Sequence, residues 1–508
     1  MNAAIDPPRA GRAWRGLERC LDRVLVEAGN PLTQLGAVAG LLLLVLLASG
    51  VYLFVVFDTS VDGAWRSIDR LSRAQPFPGG WLRSLHRYAA DGLMLVVFVH
   101  LLREWLLDRG RGFRRLTWLT GVPLLVLLYV SAIGGFWLTW DRLGQYSALA
   151  SAELLDRLPF LAGSLTRNFV NAAAVSDRLF SLLIFVHLGV PLLLLFGLWF
   201  HLQRIHRPQV LPARPLALGV LATLAVLAAL RPVTSQAPAD LALAPTALPF
   251  DWLLLHLHPL ADASSPALVL VLIGASLVFL LLWPTRPAAQ APPVAVVDPA
   301  HCNGCRRCVD DCPTAAITLV PHPNAKPGRQ LAVVAAARCA ACGICAGACP
   351  AATPFRRGQA LATGIDLPGL PLSALRQRLQ LALAAPPGAR PIVVFRCRHG
   401  AAGSVGADPD VHFIDLLCAG QLPPAFVDYA LRGGAAAVLV SACSDSGCEY
   451  RLGSLRSAER MAGRREPRLR KSVSAERFRL VFANRGDEAQ VAAALATLRA
   501  GIETGGRR

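Results

Sequence analysis

His86 to His100 reads HRYAADGLMLVVFVH, and His187 to His201 reads HLGVPLLLLFGLWFH. Each stretch is largely apolar, closed at both ends by histidine, with the same interval of 14 positions. In an α-helix that interval is about 40° short of four full turns and a rise of roughly 21 Å. Both histidines of a stretch therefore share one face, one near each surface of a hydrocarbon core roughly 30 Å thick. Ionisable groups inside a membrane are costly and usually functional. A hydrogen bond within a helix bundle accounts for one such histidine, but not for two pairs with a common spacing. Glycine repeats the interval, as Gly36 and Gly50 on the preceding apolar run and Gly121 and Gly135 on the run between. Small residues let membrane helices pack closely, yet close packing sets no shared interval on four helices. A flat macrocycle lying on a backbone without a side chain does. His86 then faces His187 at the outer level and His100 faces His201 at the inner level, giving two bis-histidine sites suited to two b-type haems.

The wider composition agrees with a membrane chain. Of 508 residues, 54% are hydrophobic and only 17% charged. Six runs are long enough to read as spans: Leu35–Phe57, Tyr88–Leu107, Leu116–Leu138, Leu179–Leu202, Pro215–Leu230 and Ala267–Trp283. The first begins too far from Met1, and is too long, to read as a signal peptide. The net charge of +18 is nearly all arginine, since Lys326 and Lys471 are the only lysines. Much of it sits in Arg9–Arg23, Arg103–Arg115 and Arg204–Arg214, which share one side if six spans alternate. The positive-inside rule makes that side the cytoplasm, with both termini, in a bacterial inner membrane. The charge thus reads as topology, and no nucleic acid is expected. A residual basic cluster between Arg451 and Lys471 reads as solvated surface, with docking of an acidic partner as the alternative.

Cysteine carries the second signal. Cys302-x2-Cys305-x2-Cys308-x3-Cys312-Pro313 is followed by Cys339-x2-Cys342-x2-Cys345-x3-Cys349-Pro350. This is the bacterial ferredoxin spacing, in which the fourth cysteine serves the other cluster. Cys302, Cys305, Cys308 and Cys349 are expected to hold one [4Fe–4S] cluster, and Cys339, Cys342, Cys345 and Cys312 the second. The doubled run disfavours zinc, and a cytoplasmic site disfavours disulfides. Four more cysteines, Cys397, Cys418, Cys443 and Cys448, follow apolar runs that read as buried parallel strands, at Pro391–Phe395 and Ala436–Val440 among others. With Phe426–Leu431 and Asp487–Leu498 as helices and Phe478–Phe482 as a strand, an α/β layer is expected. Such folds build sites at strand ends, so four thiols there read as a cluster. Cys20 stays unassigned. No Cys-x-x-Cys-His, Rossmann glycine pattern or P-loop occurs, so no c-type haem or nucleotide site is expected.

Residues 30–207 resemble cytochrome b of the quinol-oxidising bc-type complexes. Beyond the histidine spacing, Arg83 lies three before His86 and Arg103 three after His100, His187-Leu-Gly-Val-Pro191 matches a His-x-x-x-Pro, and Gly135-Phe-Trp-Leu-Thr-Trp140 is close to Gly-Tyr-x-Leu-Pro-Trp. The resemblance implies that Arg83 and Arg103 meet haem propionates. It also implies that His86/His187 hold the low-potential haem and His100/His201 the high-potential one. Pro249-Phe-Asp-Trp-Leu253 is similar to the family's Pro-Glu-Trp-Tyr at the outer quinol site, which makes Asp251 a candidate acceptor of a quinol proton. Asp91, about a turn inside His86, is a second candidate, or a cap near the interface.

From about residue 390 the chain resembles the iron–sulfur (delta) subunit of methyl-viologen-reducing hydrogenases. Val393-Val-Phe-x-Cys397, Leu417-Cys-Ala-Gly420 and Ala442-Cys443-x4-Cys448-Glu-Tyr-Arg-Leu-Gly453 carry that likeness. It implies that Cys397, Cys418, Cys443 and Cys448 hold one [2Fe–2S] cluster and relay electrons to a flavoprotein or hydrogenase subunit.

The expected fold is multidomain: an all-α transmembrane bundle, a ferredoxin-like α+β unit and a small α/β domain. The boundaries read as a basic segment at 1–30, a four-helix di-haem domain at 31–210, two further helices at 211–285 and a linker at 286–299. A ferredoxin domain at 300–355, a linker or helix at 356–388 and the delta-like domain at 389–508 complete the chain. Together these features predict electron transfer between the quinone pool and a cytoplasmic redox protein, in a direction the sequence leaves open. The alternatives are a membrane anchor for a hydrogenase or heterodisulfide-reductase-like complex, and a redox sensor. A homodimer is expected by analogy with the cytochromes.

Overall fold

The structure is a computed structural model and describes residues 9–505, apart from 26–28, 162, 170–174, 204, 206–207, 244–247, 287–292, 324–327, 356–360, 385–389, 402–409 and 445–446. The expected linker at 286–299 and the basic stretch Arg204–Arg214 therefore lie partly outside the described residues. The chain forms two compact units, one from most of residues 7–287 and one from Ala288 onward.

The first unit is helical among the described residues. Its elements are α1 Arg9–Leu25, α2 Leu35–Val56, α3 Val61–Arg73, α4 Trp81–Leu106, α5 Arg115–Thr139, α6 Arg142–Leu155, α7 Asp177–Leu202, α8 Arg214–Leu230, α9 Leu257–Ala263 and α10 Pro266–Leu282. Helices α2, α5, α7 and α10 are long and apolar enough to cross a membrane. Helix α10 reaches 20 residues with the turn that extends it to Thr285, whereas α8 is apolar but stops at 17. Helix α4 equals the longest in length, at 26 residues, but carries Arg83, Arg87, Asp91, Arg103 and Glu104. Among the described residues four candidate spans thus stand where the sequence predicts six. The bundle core is Val38, Leu42, Ala89, Leu93, Leu128, Leu194, Leu224 and Leu254, drawn from α2, α4, α5, α7, α8 and the turn before α9. The outer surfaces are also apolar: Val55, Phe185 and Val271 are 76%, 72% and 66% exposed. A water-soluble bundle would place polar side chains there.

Three helices that the apolar runs do not announce, α1, α3 and α6, are connecting elements with mixed polarity. Ser60 caps α3 by accepting from Gly63 N at 2.9 Å, and Asp141 caps α6 by accepting from Gly144 N at 2.9 Å. Each cap satisfies an amide that the helix itself leaves open.

The second unit contains β1 Val296–Val297, α11 Arg307–Asp311, β2 Ile317–Pro321, β3 Gln330–Val334, α12 Ile344–Ala348, β4 Ile365–Asp366 and α13 Leu372–Leu383. It continues with β5 Ile392–Cys397, β6 Val411–Leu416, α14 Ala425–Arg432, β7 Ala437–Ala442, α15 Gly453–Met461, β8 Phe478–Phe482 and α16 Glu488–Gly505. Strands β2 and β3 form an antiparallel hairpin, and β1 pairs with β4 across the ferredoxin segment. The larger sheet is all parallel in the order β6-β5-β7-β8. Successive side chains of β5 enter opposite cores. Val393 and Phe395 join the core with α13 and α14, whereas Ile392 and Val394 join the core with α16. Burial on both faces explains the continuous apolar runs. One core runs from Cys302 and Ala316 through Leu372 and Leu375 to Phe426, Val438 and Met461, so the ferredoxin segment and the parallel sheet pack as one body.

Candidate functional site: histidine cradles and cysteine pockets

Each regularly spaced glycine of α2 and α5 lies against one of the four histidines. A Cβ at Gly50 would sit 3.3 Å from His86 Cε1, and one at Gly36 would sit 3.7 Å from His100 Cε1. On α5, the same atom at Gly121 would lie 3.4 Å from His201 Cε1, and at Gly135 3.1 Å from His187 Cε1. The packing of α2 on α4 and of α5 on α7 creates these contacts. His86 is within electrostatic reach of His187, and His100 of His201. The structure therefore brings the four histidines together in the pairs that the spacing predicts.

Three rings also have a fixed tautomer. Ser49 Oγ donates to Val45 O at 2.7 Å, so it accepts from His86 Nδ1 at 2.9 Å. Thr120 Oγ1 donates to Leu116 and Thr117 carbonyls, so it accepts from His201 Nδ1 at 3.0 Å. His187 Nδ1 donates to Ser131 O at 3.0 Å. In each ring the proton is on Nδ1 and Nε2 keeps its lone pair, as a metal ligand requires. Sequence reasoning misses these anchors, although Ser49-Gly50 and Thr120-Gly121 place a hydroxyl directly before the glycine.

The two arginines expected near propionates differ. Arg83 is buried, and it donates to neutral partners: Ser72 Oγ at 2.7 Å, Ser235 Oγ at 2.9 Å and Ile68 O at 3.3 Å. A buried guanidinium without a contacting carboxylate is suited to an anion. Arg103 already pairs with Glu18 at 2.7 Å and Glu104 at 3.0 Å. Asp91 and Asp251, from α4 and from the turn before α9, both pair with Arg87. That guanidinium also lies 4.8 Å from the centroid of Phe136. Asp251 in addition accepts from Leu254 N at 2.7 Å. No sequence motif marks Arg87.

In the second unit the cysteines gather in the crossed sets. One cavity is lined by Cys302, Cys305, Cys308 and Cys349, and another by Cys312, Cys339, Cys342 and Cys345. The two are of similar size, about 340 and 310 Å³ with their openings to solvent included, as a doubled motif should be. Gly304, Arg306, Ala341 and Gly343 have positive φ at equivalent places in the two loops. Left-handed residues at such positions curl the chain around a concave site lined by amides. Burial, and after it the charge of the neighbouring thiols, pushes the Cys308 and Cys342 thiols up to about 12, against the pull of backbone amides. Ligation must therefore drive off their protons. No cysteine forms a disulfide. Four thiols line each of the two cavities, which is the donor set that a [4Fe–4S] cluster takes.

Cys397, Cys418, Cys443 and Cys448 converge at the carboxyl ends of the parallel strands, each at most 4% exposed. Cys397 Sγ and Cys443 Sγ are 3.6 Å apart. Hydrogen bonds from Cys418 and Cys443 hold Cys397 well below the usual thiol value, and one from Cys443 brings Cys448 to about 6. Four buried thiols in one place are a donor set that an iron–sulfur cluster, [2Fe–2S] or [4Fe–4S], takes. The basic cluster between Arg451 and Lys471 is only partly surface: Arg456 and Arg460 are fully buried.

With that geometry in hand, the comparisons with known proteins divide the chain in three. Residues 26–209 match the cytochrome b/b6/petB family, 301–353 the 4Fe-4S dicluster domain and 392–506 the delta subunit of methyl-viologen-reducing hydrogenase. Cytochrome b of Rhodospirillum rubrum is 24% identical over 178 residues, which are 35% of this chain and 44% of that protein. Cytochrome b of Marchantia polymorpha is 26% identical over 173 residues, 34% and 42% of the two chains. This chain thus spans less than half the length of the curated relatives it matches. A chain of a hyperthermophilic respiratory Complex III is 20% identical with a TM-score of 0.41, covering 54% of this chain and 82% of that one. The protein carries a cytochrome b/b6 domain, a 4Fe-4S dicluster domain and a hydrogenase-delta domain, in that order.

Proposed function

We propose that this protein conducts electrons between the quinone pool and a cytoplasmic redox partner. Two b haems, two [4Fe–4S] clusters and one [2Fe–2S] cluster serve as its centres. The observation that carries this reading is the fourfold contact of glycine with histidine, 3.1 to 3.7 Å from a notional Cβ to Cε1. Close helix packing alone has no reason to repeat that contact on both helix pairs.

When bound, these groups supply one-electron transfer; the chain's residues orient them and govern protons. His86 and His187 would hold one haem, His100 and His201 the other, with Nε2 as donor. Arg83 would meet a propionate. Asp251 is the first proton acceptor: a proton on its carboxylate loosens the pairing with Arg87, which retains Asp91. Cys302, Cys305, Cys308 and Cys349 would hold one cubane, Cys339, Cys342, Cys345 and Cys312 the other, and Cys397, Cys418, Cys443 and Cys448 the [2Fe–2S] cluster. Six spans, taken from the apolar runs, would put the arginine-rich loops and both termini on the cytoplasmic side of a bacterial inner membrane.

The decisive experiment adds a quinol analogue to the purified protein in vesicles and follows the haem absorbance. Reduction of haem by quinol supports the conduit. Haem that only dithionite reduces argues against a quinone site. The delta-like region favours a second reading, in which this conduit is one subunit of a hydrogenase or heterodisulfide-reductase-like complex. Co-purification of a flavoprotein or hydrogenase subunit supports that version.

A further inference from the structure

One side chain touches both sets of cysteine-bearing loops in the second unit. Arg460, on α15, is fully buried. Its Nη1 donates to Gly420 O at 2.7 Å, two residues beyond Cys418. Its Nη2 donates to Ile344 O at 3.1 Å, between Cys342 and Cys345, and to Asp311 Oδ2 at 2.5 Å, directly before Cys312. Three acceptors on three segments, each within two residues of a cysteine, thus share one guanidinium. The surrounding contacts are equally close. A Cβ at Gly420 would meet Ile344 Cγ1 at 3.0 Å, and one at Gly343 would press on the side chain of Gln421. Cys418 is near enough to Cys342 to feel its charge.

The charge balance is uneven. Arg456 and Arg465 also pair with Asp311, at 3.1 and 2.5 Å, and Arg456 reaches Glu459 at 2.6 Å. Three guanidiniums against two carboxylates leave one positive charge in excess. Removing charges from water costs several kcal/mol per ion, and an apolar core would hold two segments together as well or better. A fork of donors beside thiolate-bound clusters has a separate use. A cluster with four thiolates is anionic and gains further negative charge on reduction. Net charge and hydrogen bonding are among the quantities that set its potential.

We propose that Arg460 is a positioning residue for electron transfer. It fixes the spacing between the Cys339/Cys342/Cys345/Cys312 site and the Cys397/Cys418/Cys443/Cys448 site, and it favours the reduced state of the centres beside it. The proposal rests on the assignment of clusters to those cysteines and goes beyond it by naming the junction. An electron crossing there oxidises one centre and reduces the other, with no bond made or broken.

The test compares wild-type protein with R460Q and R460K by iron and sulfide content, redox titration and low-temperature EPR of the fully reduced state. R460Q should weaken the magnetic interaction between the two centres. It should also disfavour reduction of at least one by tenfold, which is about 59 mV for a one-electron couple. R460K keeps the charge but not the planar fork, so its potentials should stay within threefold of wild type while the interaction remains weakened. An R460Q protein with full clusters, wild-type potentials and wild-type interaction overturns the proposal. If R460Q does not assemble, wild-type interaction in R460K overturns it. A wild-type protein with both cubane signals but no [2Fe–2S] signal would instead defeat the assignment of the last four thiols, and this proposal with it.

Discussion

The four histidines of the membrane unit sit within two long helices, α4 and α7, and each faces a glycine on a neighbouring helix. The eight ferredoxin cysteines sit on short loops and single turns between Cys302 and Cys349. The first arrangement derives its precision from the rigid pitch of helices, so ligands far apart in sequence keep one interval. The second derives it from local loop conformation, with one cysteine of each run crossing to the other cavity. A helix-borne site should therefore lose one group at one level when a ligand is removed. A crossed pair of loops should reveal which cavity a cysteine belongs to, regardless of its neighbours in sequence.

The largest expected effects test that contrast directly. His187→Leu should halve the haem bound per chain by pyridine haemochrome assay and leave the His100/His201 haem in place. Loss of both haems, or of neither, would break the idea of two independent levels. Cys349→Ala should remove the cluster of Cys302, Cys305 and Cys308, although its nearest neighbour in the run is Cys345. Loss of the other cubane EPR signal would refute the crossing. Gly135→Ala sharpens the comparison at lower cost. Its Cβ would lie 3.1 Å from His187 Cε1, and overpacking of this kind costs about 1–3 kcal/mol. It should lower haem occupancy and thermal stability. Gly189→Ala on α7 has nothing within 4 Å and serves as the control. The smallest effect belongs to Ser49→Ala, which removes one hydrogen bond worth about 1 kcal/mol. It should shift the midpoint of the His86/His187 haem and leave haem content unchanged, as read by optical redox titration.

Much of this organisation is legible in the sequence because it rests on strict periods. The ends of α2, α5, α7, α8 and α10 lie within two residues of the apolar runs, and β8 coincides with Phe478–Phe482. Strand β6 is not legible. Val411–Leu416 lies at the sheet edge with His412, Phe413 and Asp415 less buried, so it lacks a continuous apolar run. Helices α1, α3 and α6 escape for the same reason, being polar on one side. The functional partners most readily missed are charges that act through tertiary contact. Arg87 joins Asp91 to Asp251 across the fold, and Arg460 reaches Asp311 from another segment. No local pattern marks either. The interval of 14 predicts which histidines pair but not the Nδ1 partners, because a hydroxyl before a glycine is too common a dipeptide.

The most direct test of the account is a redox titration of the purified protein, read by optical spectra in the haem bands and by low-temperature EPR. The account predicts two b-type haem components with separate midpoints, two cubane signals and one [2Fe–2S] signal. A single haem component, or none, would contradict the paired-histidine reading and reduce the protein to a membrane-anchored iron–sulfur carrier.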